Sequence, residues 1–541
     1  MHTFTRLLKN LTIHQWILIG ILVCASFIRL YQSTQYIPFW EEQVDDMIAI
    51  RSTWHNLSTG NVQGLSLKGQ SGTYRSSYLP PGQLTPVYHG VAYYYVLLPA
   101  AVLSKFNPYG VVLFLIALGL ISVYLLYDVG VLLFKDKAVG LVAAFLGASS
   151  FWMSAYSRWI WTPSMMPFFT LLAFSSFFRV ISGKTNWWYP LVFSLSLGSQ
   201  MHDSGYVPLV FFLVATLLYR PPLPSTWWKK GMLVFLGLLP IAPTVINEVL
   251  EGFHMTRSLA LVAYHALPTF AALGTSFLRF VVNAFGVTIM NLSYIESIVA
   301  HGWVVLGVFA LVCFAVWREH AMRNVKKRLY PSLFDSPNFP SSFIASWWLI
   351  CLVMSVFIEY LYADQVLNDY SRMNNLAFTL PMIFLCGAFL IVELWRRYSK
   401  VISISILCIF VSLNILTIRD YLWSYTERDW AYGDLVKVSW LIPHIAGEEP
   451  YDLVVYRYQE GSYESKNVFV MLYFIELYPA RMPERFNGSI HWALSKQELR
   501  GREAHQQIIV MDKRYVGSRE LPKSAQLIDQ TQGYYVYKVV N

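Results

Sequence analysis

Charge is scarce in this chain. Of its 541 residues only 13% are Asp, Glu, Lys or Arg, whereas 55% are hydrophobic and 16% are aromatic. Such a composition excludes a soluble enzyme and is typical of a protein that crosses a membrane many times. The net charge of +9 does not indicate a nucleic-acid partner, because the Lys and Arg residues concentrate in short loops between apolar runs, as the positive-inside rule expects.

Cysteine is scarce as well. The five cysteines lie in or beside apolar segments and have neither paired spacing nor a neighbouring His cluster, so neither disulfides nor a zinc site is predicted. They are Cys24, Cys313, Cys351, Cys386 and Cys408. The sequence also lacks an internal repeat, a phosphate-binding Gly-rich loop and a His-Glu-x-x-His motif, which leaves an ATP-driven pump and a zinc protease without support.

The N-terminal segment has the pattern of a secretory signal without its cleavage site. Arg6 and Lys9 precede an apolar run from Trp16 to Leu30, but Arg29 lies inside that run and no small-x-small triplet follows it. We therefore expect a retained signal anchor.

Long apolar runs are plentiful and, with the anchor, predict about eleven helices in the membrane. Segment 90–104 contains Pro99 and is too short for a full span, so it fits an interfacial or re-entrant helix better. Region 250–300 is left open between an interfacial helix and a pair of spans. The other runs are 109–134, 138–156, 160–181, 188–219 (two short spans broken at His202-Asp203-Ser204-Gly205), 231–249, 302–317, 343–362, 375–395 and 400–418.

The basic loops orient these spans. With the N-terminus inside and segment 90–104 not crossing, every strongly basic short loop falls on the cytoplasmic side. The opposite side then holds the acids at 41–46, the turns at Tyr156-Ser157-Arg158 and His202-Asp203, and residues 368–372. The sequence thus predicts a multi-pass protein of the cytoplasmic (inner) membrane whose polar site lies outside.

After Arg419 the composition becomes that of a soluble domain. Segments 451–456, 507–511 and 534–540 read as strands and 465–479 reads as a helix. The predicted fold class is therefore a polytopic α-helical membrane protein with a small C-terminal α/β domain. Its membrane domain would cover 1–419, with an outer loop at 32–89 that carries the acids, and the extracytoplasmic domain would cover 420–541.

The acids themselves form the segment Trp40-Glu41-Glu42-Gln43-Val44-Asp45-Asp46. On a helix Glu42 and Asp46 share one face, and Glu41 and Asp45 share the neighbouring face. Either pair could hold a proton acceptor against a substrate hydroxyl or bind a divalent ion. The alternative is a solvated acidic helix end.

Further motifs follow the acids in order. Tyr88-His89-Gly90-Val91-Ala92-Tyr93-Tyr94-Tyr95 ends the outer loop, and Tyr156-Ser157-Arg158-Trp159-Ile160-Trp161-Thr162-Pro163-Ser164 forms a later turn. Then come Gln200-Met201-His202, Leu239-Pro240-Ile241-Ala242-Pro243 with Glu248 and Thr256-Arg257 behind it, and the stretch from Asp369-Tyr370 to Pro381.

In this order the motifs resemble the GT-C superfamily of membrane glycosyltransferases, in the branch of lipid A aminoarabinose transferases and protein O-mannosyltransferases. The resemblance covers roughly residues 1–418. Two positions depart from the branch, which usually has Asp where Glu42 stands and Asn where Thr162 stands. Because Glu is one methylene longer than Asp, Asp46 or Asp45 could take the principal role.

The resemblance implies a donor of one sugar on a polyprenyl phosphate and an acceptor that is a lipid, a glycan or a protein. A carboxylate would remove the proton of the acceptor hydroxyl, with Glu42 or Asp46 first and Glu41 or Asp45 next. Arg158, and second Arg372, would stabilise the departing phosphate. Substrate contacts are expected from His202, His89, Tyr93, Tyr94 and Glu248. Inversion at the anomeric carbon is expected, and whether a divalent cation (Mg²⁺ or Mn²⁺) takes part stays open.

Other interpretations exist for the same residues. Arg158 could anchor to lipid headgroups, His202 could cap a helix, and Tyr93-Tyr94-Tyr95 could belong to an aromatic belt. The rival function is a transporter or flippase, which would place its acids deep within spans and show matching halves. A non-catalytic scaffold would account for the C-terminal domain but not for the acids and arginines.

Overall fold

The structure, a computed structural model, describes most of the first half of the chain and parts of the second. The described residues are 11–39, 41–74, 85–254, 256–257, 339–361, 377–419, 423, 436–439, 441–442, 445, 452–456, 490–493, 506–512, 524–530 and 534–540. The predicted span at 302–317, the predicted helix at 465–479 and Arg372 lie outside them.

The chain opens with an apolar helix followed by a polar one. Helix α1 (Ile13–Leu30) starts with a capping box between Thr12 and Gln15, which satisfies two of the unpaired backbone groups at a helix end. Helix α2 (Glu41–Thr59) contains the acids. Strands β1 (Ser71–Tyr74) and β2 (Thr85–Tyr88) pair antiparallel, and helix α3 (Ala92–Leu103) follows them.

Two tightly packed helices come next. Helix α4 (Pro108–Phe134) begins with Pro at N1 and a capping Asn107, and helix α5 (Lys137–Ser149) begins with a capping Asp136. A Cβ on Gly130 of α4 would lie 2.8 Å from the Cα of Gly140 of α5. Glycine at both positions therefore lets the two backbones approach closely.

The predicted span 138–156 is interrupted. Ser150 ends α5 and starts the short helix α6 (Phe151–Tyr156), because its hydroxyl accepts the backbone N–H of Met153. After a 3-10 turn, helix α7 (Met166–Ile181) completes the candidate span Thr162–Ile181.

The predicted break inside 188–219 is confirmed. Helix α8 (Trp188–Ser199) and helix α9 (Tyr206–Tyr219) flank a 3-10 turn at Asp203–Gly205. A Cβ on Gly205 would lie 2.1 Å from the carbonyl oxygen of Gly198, so a larger residue would clash with the backbone there. The run 231–249 is likewise a bent pair, α10 (Trp227–Leu238) and α11 (Ala242–Leu250), with an angle of 59°.

Three later helices complete the described bundle: α12 (Phe339–Leu361), α13 (Leu380–Arg397) and α14 (Lys400–Ile418). Trp347 of α12 is buried against Phe174 of α7 and Phe211 of α9, with ring centroids 4.7 and 4.9 Å apart. Such edge-to-face pairs contribute about 1 kcal/mol each beyond the area they bury. Within the described residues, five helices are long and apolar enough to cross a membrane, or six if the bent pair counts as one span.

The last residues form a mixed five-stranded sheet in the order β4-β3-β5-β7-β6. Strand β3 (Asp452–Tyr456) runs parallel to β4 (Ile490–Ala493) and β5 (Gln506–Asp512), while β7 (Tyr534–Val540) runs antiparallel to β5 and β6 (Ala525–Gln530). The three predicted strands are confirmed as β3, β5 and β7. The polar edge strand β6 carries no alternating apolar pattern that would have predicted it. A mostly helical chain with apolar spans and a small C-terminal sheet is the fold class that the sequence predicts.

Candidate functional site

The acid helix α2 buries one of its carboxylates. Its apolar residues Val44, Met47 and Ile50 are buried, and helix α3 packs against it. Asp46 lies among these buried positions and is 0% exposed, whereas Glu42 and Asp45 are exposed. Glu41 is the first residue of α2. Of the α2 acids whose side chains are described, Asp46 is therefore the one that the fold removes from water.

Asp46 is buried without a hydrogen bond. Neither of its carboxyl oxygens has a hydrogen-bond partner among the described residues, and the same holds for the hydroxyl of the buried Tyr93. Burial raises the pKa of Asp46 from 3.8 to about 8. Tyr94 acts in the opposite direction, although its hydroxyl does not reach hydrogen-bond geometry, and the charge of Glu42 raises the pKa further. Asp46 thus exchanges its proton near neutral pH.

Two histidines from distant loops lie face to face near this acid. The rings of His89 and His202 stack with centroids 5.0 Å apart and an interplanar angle of 25°. Nδ1 of His202 accepts the backbone N–H of Ser204 at 3.2 Å and lies 2.9 Å from the Ser204 hydroxyl. When His202 is neutral, its proton is therefore on Nε2. The charge of His89 also acts on Asp46, whose pKa it lowers.

Close backbone packing brings the two loops together. His89 exchanges backbone hydrogen bonds with Gly69 and Gln70 at 2.9 and 3.0 Å. A Cβ on Gly90 would lie 2.5 Å from the carbonyl oxygen of Gln200, so glycine at position 90 is what lets the loop reach the break between α8 and α9. The sequence predicts both motifs but contains no signal that Gly90 joins them.

The start of α11 is attached to the same region. The Thr244 hydroxyl donates to Oε1 of Gln200 at 2.6 Å. Glu248 is buried, and its Oε2 accepts the backbone N–H and the hydroxyl of Thr256 at 2.9 and 2.6 Å. Glu248 thus caps the turn that follows α11, and its predicted contact with substrate stays a prediction.

Arg158 is turned inward. It is 0% exposed, and its guanidinium donates to the carbonyl oxygens of Tyr31 at 3.2 Å, Gln32 at 3.3 Å and Tyr36. Its predicted contact with a donor phosphate is not tested by this placement and stays a prediction. The second candidate, Arg372, lies outside the described residues.

A divalent cation remains an open question. Within the ranges that the structure describes, no group of three His, Cys, Asp or Glu side chains has an arrangement that could hold a metal ion.

No family model matches the sequence, and no curated protein matches it. Solved structures similar to the chain include ArnT from Cupriavidus metallidurans bound to undecaprenyl phosphate, at 11% identity and TM-score 0.41 over 97% of this chain and 98% of that one. Another is the apo oligosaccharyltransferase of Archaeoglobus fulgidus, at 11% identity and TM-score 0.46 over 87% and 64%. A third is AglB from Archaeoglobus fulgidus with an inhibitory peptide and a dolichol-phosphate, at 12% identity and TM-score 0.41 over 92% and 69%.

These three structures are of GT-C proteins, the superfamily that the motif order of this sequence resembles. At such low identities and TM-scores, however, the likeness assigns no activity, donor or residue role to this chain.

Proposed function

We propose that this protein is a membrane glycosyltransferase that moves a single sugar from a polyprenyl-phosphate donor to an acceptor hydroxyl on the extracytoplasmic face. The observation that carries the proposal is Asp46, a wholly buried carboxyl without a hydrogen-bond partner among the described residues. Leaving such a group unsatisfied is unfavourable for folding, so its retention supports a chemical role. The donor class rests on the motif order in the sequence.

In this proposal the transfer is a single displacement. The acceptor oxygen attacks the anomeric carbon while the bond from that carbon to the phosphate oxygen breaks, and the lipid phosphate leaves with the electron pair. The proton of the acceptor hydroxyl passes to a carboxylate. Asp46 suits this role because its pKa of about 8 lies near the working pH, where a general base is most effective. Attack from the side opposite the phosphate inverts the anomeric centre.

Neighbouring residues would hold the sugar. In this proposal the Nε2–H of His202 donates to a sugar hydroxyl, because the bond from Ser204 to Nδ1 places the proton on Nε2. His89 stacks on this ring and holds it in place. Glu42, exposed one turn before Asp46 on α2, is the alternative base. Tyr93 and Tyr94 line the buried side of Asp46 and keep water from it.

The proposal is tested by transfer assays with the purified protein in lipid nanodiscs. Radiolabelled polyprenyl-phosphate sugars are offered as donors, crude membranes supply acceptors, and wild type is compared with Glu42→Gln. The matched control is Glu251→Gln, because Glu251 is also exposed but its carboxylate pairs with Lys68.

Labelled product from wild type and the control supports the transferase, and a loss in Glu42→Gln would give Glu42 the larger role. No product from any donor, together with acid-dependent movement of lipid or sugar across the bilayer, would overturn the proposal in favour of a transporter.

A further inference from the structure

Two buried arginines tie the end of α1 to the turn after α6. Arg158 donates to three carbonyls of the segment that leaves α1, those of Tyr31, Gln32 and Tyr36. The last carbonyls of a helix have no partner inside it, and a cation beside them is favourable. Arg158 therefore does for this segment what a C-terminal cap does for a helix.

Arg29 makes the reciprocal connection from α1. Its Nε donates to the Ser157 hydroxyl at 3.2 Å, and its terminal nitrogens donate to the carbonyls of Ala148 at 3.2 Å and Gly147 at 3.3 Å. Arg29 thus bonds the residue before Arg158, and Arg158 bonds the carbonyl of Tyr31, two positions after Arg29. We name Arg29 and Arg158 together the arginine clamp.

The segment held by the clamp contains a rare backbone conformation. Gln32 has φ of +52°, a left-handed conformation that residues other than glycine rarely adopt. The carbonyls of Gln32 and of Tyr31 both point to Arg158, and the hydroxyls of Ser33 and Tyr109 lie 3.1 Å apart. A strained backbone persists when its surroundings hold it in this way.

The clamp acts on the acid helix through a short link. Tyr36 lies five positions before Glu41, the first residue of α2, and the intervening Ile37 and Phe39 are buried. The segment between the clamp and α2 is therefore short, and Ile37 and Phe39 fix part of it in the protein interior. A change in where Arg158 holds the Tyr31–Tyr36 segment would be passed to the start of α2 and to the direction in which Asp46 faces.

We infer that Arg158 is a positioning residue that orients α2 so that Asp46 faces the His89 and His202 loops, and that it does not contact the donor phosphate. The guanidinium is wholly buried, both terminal nitrogens are engaged by carbonyl oxygens, and only Nε has no hydrogen-bond partner among the described residues. A phosphate brought to this place would meet those oxygens as well as the cation. The inference rests on the proposed transferase activity.

The first test is Arg158→Lys, which keeps the charge but loses the planar fork that reaches several carbonyls at once. We expect kcat to fall about 100-fold, because a displacement of about 1 Å at the base is enough for that. The donor KM should stay within about twofold of wild type. A donor KM raised more than tenfold at unchanged kcat would overturn the inference and make Arg158 a phosphate ligand.

A second variant perturbs the clamp without altering any charge. A Cβ on Gly119 of α4 would lie 2.0 Å from the Ser157 hydroxyl, so Gly119→Ala must displace this hydroxyl, which accepts the Nε–H of Arg29. It should reproduce the fall in kcat at constant donor KM. Its control is Gly20→Ala in α1, where an added Cβ meets nothing within 4 Å. Wild-type kcat in Gly119→Ala would count against the inference.

The pH profile separates positioning from simple loss of stability. The groups that face Asp46 are Glu42 and Asp45 from α2, Tyr93 and Tyr94 from α3, and His89. If α2 loosens, water reaches Asp46 and its pKa falls from about 8 toward 3.8, so the acid limb of kcat/KM moves to lower pH in Arg158→Lys. A variant that only unfolds more readily would lose folded protein without moving this limb.

Hydrogen exchange supplies a readout that does not require transfer. In Arg158→Lys and Gly119→Ala the amides of residues 31–46 should exchange faster than in wild type, while those of α13 should not change. Unchanged exchange at 31–46 would overturn the inference even if wild type transferred no sugar. Faster amide exchange at 31–46 in these variants, if wild type has no transfer activity, would support the clamp and count against the proposed function alone.

Discussion

Two aspartates in this helical bundle have opposite surroundings. Asp128 of α4 accepts two bonds from the guanidinium of Arg179, at 2.8 and 2.6 Å, and a third from the Ser175 hydroxyl at 2.7 Å. Arg179 in turn lies 4.4 Å from the ring centroid of Trp187. Asp46 is more deeply buried, but neither of its oxygens has a hydrogen-bond partner among the described residues.

The two acids differ in how fully the protein satisfies their carboxyl groups. A carboxylate that accepts two bonds from an arginine and one from a hydroxyl has its hydrogen-bonding capacity largely used within the protein. A carboxyl that is buried without partners is retained at the expense of stability, and it changes its protonation within the working pH range. The bundle can satisfy an acid, as it does at Asp128, so the lack of such partners for Asp46 among the described residues supports the role proposed for it above.

The largest effect is expected from Asp46→Asn. The amide keeps the shape of the carboxyl but cannot take a proton, so transfer should fall by about 100-fold or more. Its unfolding midpoint should be equal to or higher than that of wild type, because a buried ionisable group is removed. Initial rates at equal folded amounts, with thermal unfolding in nanodiscs, check both parts. Retained transfer would shift the base to Glu42 or Asp45.

Asp128→Asn should behave in the opposite way. The change leaves Arg179 without its counter-ion at a site where the two side chains are only 17% and 14% exposed, and breaking such a pair costs about 3 kcal/mol of unfolding free energy. The rate per folded molecule should stay at the wild-type level.

The double variant Asp128→Asn/Arg179→Gln serves as the control, and it should lose less than the sum of the two single changes. A lower transfer rate at unchanged stability in Asp128→Asn would mean that Asp128, like Asp46, takes part in the transfer.

The pH dependence of wild type should show the effect of Asp46 on the free energy of unfolding and on the transfer rate. Between pH 3.8 and about 8 the folded protein holds a proton on Asp46 that the unfolded chain has released. The free energy of unfolding should therefore fall as pH rises through this window, and the contribution is lost above about 8. Transfer should rise over the upper part of the same window as the base forms. Chemical unfolding and initial rates against pH measure the two trends, and Asp46→Asn should remove both.

The smallest effects are expected at the histidine that neighbours the acid. His202→Asn keeps an acceptor near the backbone N–H of Ser204 but loses Nε2, so the rate should fall about tenfold, the equivalent of one hydrogen bond. Ser204→Ala removes only the hydroxyl and leaves the backbone N–H bond to Nδ1, so the change should stay within about threefold. Equal losses in both variants would mean that Nε2 does not contact the sugar.

Local patterns predicted several parts of this fold well. The break at residues 202–205 and three strands of the terminal sheet follow from periodicity and turn residues, whereas helix α2 lies inside what the sequence predicts as an outer loop at 32–89. The interruption of the run 138–156 does not follow from such patterns. There Asn414, 263 residues away along the chain, accepts the backbone N–H of Phe151 at 2.8 Å, and an apolar run contains no sign of such a partner.

The candidate site divides in the same way. The acid cluster, the histidines and Arg158 were recognisable as a set, but their individual surroundings were not. Glu42 and Asp46 are equivalent by helical spacing, and packing of α2 on α3 leaves the first exposed and the second buried. Arg158 has the sequence context of a residue at the membrane surface, yet it is wholly buried.

Composition, charge distribution and hydrophobic period thus determined by themselves that the chain is a membrane-spanning helical protein with an acid motif after its first helix. These signals act over one or two helical turns, which is why they can be read along the chain. Only the tertiary structure decided that Asp46 is the buried acid, that Gly90 brings His89 to His202, and that Arg158 bonds carbonyls 122 to 127 positions away. Burial and partner choice arise between segments that are distant in sequence, and no local pattern encodes them.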